Sequence, residues 1–151
     1  MDARTPDERA MDEALRLAEA TGRMGNVPVG AVILARGEIL ASAANLRETL
    51  QDPTAHAELL VLREAAARMG SWRLEDATLV VTLEPCAMCA AALDQARIRR
   101  VVYGADEPRT GAVKHGPRLL EGRPIEIVAG IRSDACLALL EGFFQSLRGR
   151  D

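Results

Sequence analysis

A chain of 151 residues with 48% hydrophobic and 27% charged residues has the size and balance of one globular domain spanning 1–151, which excludes intrinsic disorder and coiled coil. Its net charge of −3 excludes a protein that coats nucleic acid by charge alone. No apolar run approaches the ~18 residues of a membrane span, and Asp2, Arg4, Asp7, Glu8 and Arg9 interrupt any signal-peptide core, so the chain reads as cytoplasmic with no membrane partner.

Met11, Ala14, Leu15 and Ala18 recur at helical spacing and predict a helix over 7–22, ended by Gly22. Two short apolar runs, Val29 to Leu34 and Ile39 to Ala43, flank Arg36-Gly37 and read as a β-hairpin. Asp52, Pro53 and Thr54 are helix-start signals before an apolar-rich helix from Ala55 to Arg68, stopped by Gly70. Ala77 to Leu83 is a buried strand that Glu84-Pro85 ends, and a helix follows from Pro85 to about Ala96. Val101 to Tyr103 is a short strand, Gly104 to Gly116 a loop, and Ile125 to Val128 a last strand. The final helix, about Asp134 to Leu147, carries the stripe Cys136, Leu139, Leu140, Phe143 and Leu147. Alternating strands and helices predict an α/β fold, a three-layer αβα sandwich whose first hairpin makes the central sheet mixed.

Three cysteines are too few, and odd in number, for a disulfide framework, so they bind metal or react. Cys86 and Cys89 stand three apart at a helix start, where free N–H groups and the positive dipole end favour thiolates. A C-x-x-C after a strand also builds thioredoxin-like redox sites, and zinc held by four ligands would make a structural module. His56, near a second helix start, shifts the balance, since one imidazole and two thiolates suit Zn2+ and leave a fourth position for water. Glu58, two residues on, then stands beside the metal as a proton carrier without ligating it, provided that Thr54 caps the helix and puts His56 in its first turn.

His56-Ala57-Glu58 with Pro85-Cys86-Ala87-Met88-Cys89 resembles the signature of the zinc-dependent cytidine deaminase superfamily. Val27 to Val32, Asp52 to Glu58, Thr82 to Cys86, Arg97-Ile98 and Val101 to Ala105 are similar to the bacterial tRNA-specific adenosine deaminases, over nearly the whole chain. The resemblance implies a cytidine deaminase-like fold, Zn2+ on His56, Cys86 and Cys89, a proton shuttle at Glu58, and Asn45 on the adenine edge. It implies hydrolytic deamination of adenosine to inosine at the wobble position of a tRNA by zinc-activated water, with the anticodon stem-loop as partner and a homodimer as assembly. On the same fold a deaminase of a free base or nucleoside, cytosine or guanine, is the alternative. Glu107 and Arg109 stand where the family has Asp and Lys and are read as substrate-binding, the segment from Gly111 to Ile125 is shorter, and Gln145 follows Phe143-Phe144 where the family often has Arg.

Other residues are read conservatively. Asn45 by itself would be a turn residue, Cys136 a buried small hydrophobe, His115 a solvent- or RNA-facing side chain, Trp72 core or interface packing, and Glu84 a structural group orienting nearby backbone. Between Arg97 and Arg118 six bases face two acids. This stretch follows the Cys86/Cys89 helix, is expected at the mouth of the site to grip phosphates, and is extended by Arg148 and Arg150.

Overall fold

The computed structural model describes residues 1–149, so Arg150 lies outside the described residues. The elements are α1 (Pro6–Arg23), β1 (Gly30–Ala35), β2 (Glu38–Ala44), α2 (Arg47–Leu50), α3 (Ala57–Met69), β3 (Ala77–Leu83), α4 (Ala87–Gln95), β4 (Arg100–Ala105), β5 (Glu126–Ala129) and α5 (Ser133–Arg148). Helix α1 starts one residue before the predicted boundary because Thr5 and Glu8 form a reciprocal capping box with Pro6 in the first turn, a T-x-x-E signal already present in the sequence. Arg36 and Gly37, both at positive φ, make the tight hairpin between β1 and β2. The short α2 was not anticipated.

The sheet order is β2-β1-β3-β4-β5, with β1 antiparallel to both neighbours and β3, β4 and β5 parallel. Alternation along the strands sends side chains to two cores. Ala31, Ile33, Leu79, Val81, Val101 and Tyr103 pack under α3 and α4, through Ala57, Val61, Ala65, Ala90 and Leu93. Val32, Leu34, Val80 and Val102 pack on the other face against Ala10, Met11 and Ala14 of α1 and Cys136 of α5. This is the three-layer mixed sandwich that the alternation predicts. Gly30 is required by it, since a Cβ there would collide with the Ala14 carbonyl of α1.

Three expectations change. Trp72 is not core: it is 57% exposed in the turn after the Gly70 cap, with the Arg73 guanidinium 4.9 Å from its ring centre, and the interface half of the expectation is untouched. The stripe on α5 is buried only at Cys136 and Leu140; its other members, Leu139, Phe143 and Leu147, line an open groove of about 740 Å³ beside the end of α1. The basic stretch is split. Helix α4 runs back from its cysteines, so Arg99 and Arg100 enter β4 at the end opposite the site, roughly 17 Å of strand from Ala105. There Arg100 is bound to Asp7 and Glu126. Only Arg109 and Lys114 stay near the site, in the part of the loop that follows Ala105 and folds back on Glu84, and Arg118 lies farther along the same loop.

Candidate metal centre and its cavity

The first turns of α3 and α4 meet at the carboxyl end of β3. Asp52 prepares α3: its carboxylate accepts from the Thr54 N–H (2.8 Å) and hydroxyl (2.7 Å). Thr54 thus belongs to that turn, two residues ahead of the cap, and the N-cap is His56 itself, whose backbone is extended and whose carbonyl accepts the Leu60 N–H at 3.1 Å. Cys86 is likewise the N-cap of α4, its carbonyl accepting the Ala90 N–H at 2.8 Å, so this helix begins at Ala87 rather than at Pro85. An N-cap residue has extended backbone and projects ahead of the helix axis. This lets His56 and Glu58, two apart in sequence, serve one site.

His56 Nδ1 lies 3.7 Å from Cys86 Sγ and 3.4 Å from Cys89 Sγ. The three ligand atoms are all within 4.8 Å of one another. The hydrogen bond from the Cys89 thiol, and then His56, draw the Cys86 thiol down to about 4 against the cost of burial. Donating that bond, together with burial, pushes Cys89 up, and the contact with Cys86 raises His56. Cys86 is thus the one thiolate of the cluster, at a helix N-terminus that favours it, and one imidazole with two thiols is a donor set that zinc takes in three-ligand sites. Cys136 is no fourth ligand: it is buried in the opposite core, against Gly104.

Glu58 is 4% exposed, and burial raises its proton affinity above the ordinary carboxylate value. It is outside the three-atom cluster but beside it, lining with His56 and Cys86 a cavity of about 150 Å³. Asn45, Arg47, Val27, Leu83 and Thr110 also line this cavity. Asn45 Nδ2 donates to the Val27 carbonyl (3.0 Å) and its Oδ1 accepts from the Arg47 N–H (3.1 Å), leaving one N–H and one lone pair for a ligand. Arg47 and Thr110 were missed; Arg47 stands two residues after Asn45, but neither carries a spacing signal. Glu107 and Arg109 are not in the lining. Glu107 accepts from the Arg109 N–H at 3.0 Å, and the Arg109 side chain is 86% exposed.

Glu84 organises backbone to a greater extent than expected. Its Oε1 accepts from the Glu107 N–H (3.0 Å), and its Oε2 from the N–H groups of Val113 (3.2 Å), Lys114 (3.0 Å) and His115 (3.0 Å). His115 Nδ1 sits 2.7 Å from Oε1, so this ring is tied to a buried carboxylate instead of facing solvent or RNA. Desolvation works upward on Glu84, but these donors overcome it and hold the carboxyl at about 2.

Residues 4–105 match the zinc-binding region of the cytidine and deoxycytidylate deaminases. The chain is 46% identical over 148 residues to the tRNA-specific adenosine deaminase of Bacillus subtilis (strain 168), covering 95% of this chain and 92% of that protein. It is 41% identical over 142 residues to the tRNA-specific adenosine deaminase of Agrobacterium fabrum, covering 91% and 93%. A solved tRNA:A34 deaminase, of the group that edits A to I at the wobble position of transfer RNA, superposes with a TM-score of 0.84 at 40% identity, over 87% of this chain and 99% of that one. A guanine deaminase from Nitrosomonas europaea superposes with a TM-score of 0.81 at 27% identity, over 90% and 83%.

Proposed function

The chain belongs to the cytidine and deoxycytidylate deaminase family, and from that premise we propose that it is a zinc-dependent hydrolase converting adenosine to inosine at the wobble position of a tRNA. The chemistry rests on one observation: an imidazole and two thiols cluster beside a buried carboxyl, at the wall of a cavity small enough for a single base. The choice of tRNA is supported by the relatives, whose similarity runs through nearly the whole chain.

In this reading His56, Cys86 and Cys89 hold the zinc. When bound, zinc supplies the polarisation that makes water nucleophilic at neutral pH. Glu58 takes a proton from the attacking water, delivers it to the adenine ring nitrogen, and moves the second proton to the departing amine, so that adenosine and water become inosine and ammonia. Asn45 uses its remaining N–H and lone pair to hold the base edge. Glu107 and Arg109, outside the cavity, act on the RNA flanking the target base. The anticodon stem-loop is the favoured partner because its unpaired bases leave the stack at low cost. The assembly is a homodimer of single-domain chains working in the cytoplasm, a part of the reading carried by the family resemblance; a monomeric mass in solution would remove the dimer.

The test is to incubate zinc-loaded protein with anticodon stem-loop RNA, free adenosine, cytosine and guanine, and to score ammonia release. The stem-loop is expected to be turned over far faster than any free substrate. Equal or faster turnover of a free base replaces this reading with a small-molecule deaminase.

A further inference from the structure

Both ends of one loop segment are bound to a single carboxylate. The Glu107 N–H reaches Glu84 Oε1, and the N–H groups of Val113, Lys114 and His115 reach Oε2. The intervening residues 108–112 are thereby drawn into a closed hairpin laid on the start of α4, where the Ala112 N–H donates to the Pro85 carbonyl at 2.9 Å and Gly111 bridges to Cys86. The fit leaves no room for a side chain at Gly111, since a Cβ there would stand 2.5 Å from Glu84 Oε2. At the tip of this hairpin Thr110 faces the cavity that Glu58, His56 and Asn45 line. A loop of 20 residues between β4 and β5 has no helix or strand to fix it, so its shape at the cavity depends on such ties.

We propose that Glu84 is a positioning residue for substrate binding: its carboxylate cinches residues 107–115 so that Thr110 forms a wall of the base cavity. The inference rests on the reading of the cavity as a base site. A carboxylate is required because four backbone N–H groups and an imidazole nitrogen converge on it, and an amide of the same size would turn its own N–H groups toward those donors. The zinc ligands are set by the helix starts, since His56 and Cys86 are the N-caps of α3 and α4 and Cys89 lies in the first turn of α4, while the loop meets the cluster only through the backbone bridge from Gly111 to Cys86.

The test uses zinc-loaded Glu84→Gln and Thr110→Ala. Native-state hydrogen exchange of the amides of 107 and 113–115 is expected to quicken by about tenfold or more in Glu84→Gln, the loss of hydrogen bonds to a charged acceptor, while the amides of β3 keep their protection. Zinc stays at one equivalent, and KM for the stem-loop rises by about tenfold with a much smaller change in kcat. Thr110→Ala should raise KM in the same direction with exchange unchanged. Should Glu84→Gln not fold, His115→Ala removes one of the five ties and should show the same exchange pattern at smaller amplitude. Wild-type exchange and KM in Glu84→Gln, wild-type KM in Thr110→Ala, or faster exchange spread through β3 with loss of zinc would each overturn the proposal. Exchange is read without substrate and KM on whichever substrate the wild type turns over, so failure of the tRNA assignment would show separately.

Discussion

Glu58 and Glu84 line the same cavity and are 4% and 2% exposed, yet their proton affinities move in opposite directions. Around Glu58 desolvation dominates, so the carboxyl holds a proton more readily than an exposed glutamate. Around Glu84 the same desolvation is outweighed by four backbone N–H groups and His115, so the carboxyl stays charged down to about 2. Burial alone therefore does not assign a role to an acid. What converges on it differs: the surroundings of Glu58 suit the proton transfer proposed for it, and those of Glu84 keep a charge that organises backbone.

The comparison breaks most visibly at the cluster beside both acids. Cys86→Ala is expected to lose stoichiometric zinc and all measurable turnover, with a lowered unfolding temperature, because metal binding at such a site is coupled to folding; metal analysis and thermal melts check this. Glu58→Gln should separate metal from chemistry by keeping one equivalent of zinc while turnover falls by about 10³-fold, the range for loss of a positioned general acid–base. Near-wild-type turnover in zinc-replete Glu58→Gln would remove the contrast between the two glutamates.

The Glu84 half of the comparison has a pH signature. Because its folded pKa lies near 2, below the ordinary 4.5, Glu84 contributes stability that is fully present above pH 5 and is lost as pH falls toward 2. The displacement corresponds to about 3 kcal/mol for this buried group. Denaturant unfolding of wild type and Glu84→Gln should thus differ most above pH 5 and converge in acid; a gap that is constant from pH 7 to 2 would contradict the charge-keeping role.

The two regions were not equally legible in the sequence. His56, Glu58, Cys86 and Cys89 lie within a few residues of helix starts, so local spacing brings them to one face, and the structure gathers their side chains there. The β1–β2 hairpin and the layer alternation were equally local. Glu84 required knowledge of a loop 23–31 residues downstream, and Thr110 lines the cavity within that tied-back loop. Sequence adjacency misled for Arg97, Arg99 and Arg100, since α4 carries the chain away from the site before they occur. Thr54 failed as a cap because α3 starts later: His56 holds the extended N-cap position and Thr54 lies two residues ahead of it, in the Asp52 turn.

Charge on the loop can be separated from its shape. Arg109 and Lys114 are on the site side, but Lys114 Nζ is 3.3 Å from Asp106 and Arg109 Nε is 3.8 Å from Glu107, so neither cation is wholly available to phosphate. Replacing both with Ala is expected to weaken stem-loop binding and flatten log Kd against log salt by about one unit, less than two full phosphate contacts would give. Zinc content and the exchange pattern of residues 107–115 should not change. RNA affinity indifferent to salt and to both substitutions would deny this loop a part in gripping RNA.

The smallest effect is expected across the sheet, at the third cysteine. Cys136 is 1% exposed among Ala10, Val80, Val102 and Ala105, with Gly104 of β4 leaving the space that its sulfur fills. Burial pushes its thiol up to about 12, the opposite of Cys86, so it is neutral and a poor ligand or nucleophile. Cys136→Ala removes one heavy atom from a packed core and should cost about 1 kcal/mol, read as a shifted denaturant midpoint. Zinc content, kcat and KM should match the wild type, because β4 continues to Ala105 and the loop beyond is held by Glu84 rather than by α5. Loss of zinc in this variant would bring Cys136 into the ligand set, and a raised KM would mean that the packing of α5 on β4, and not only the Glu84 tie, sets the shape of the cavity.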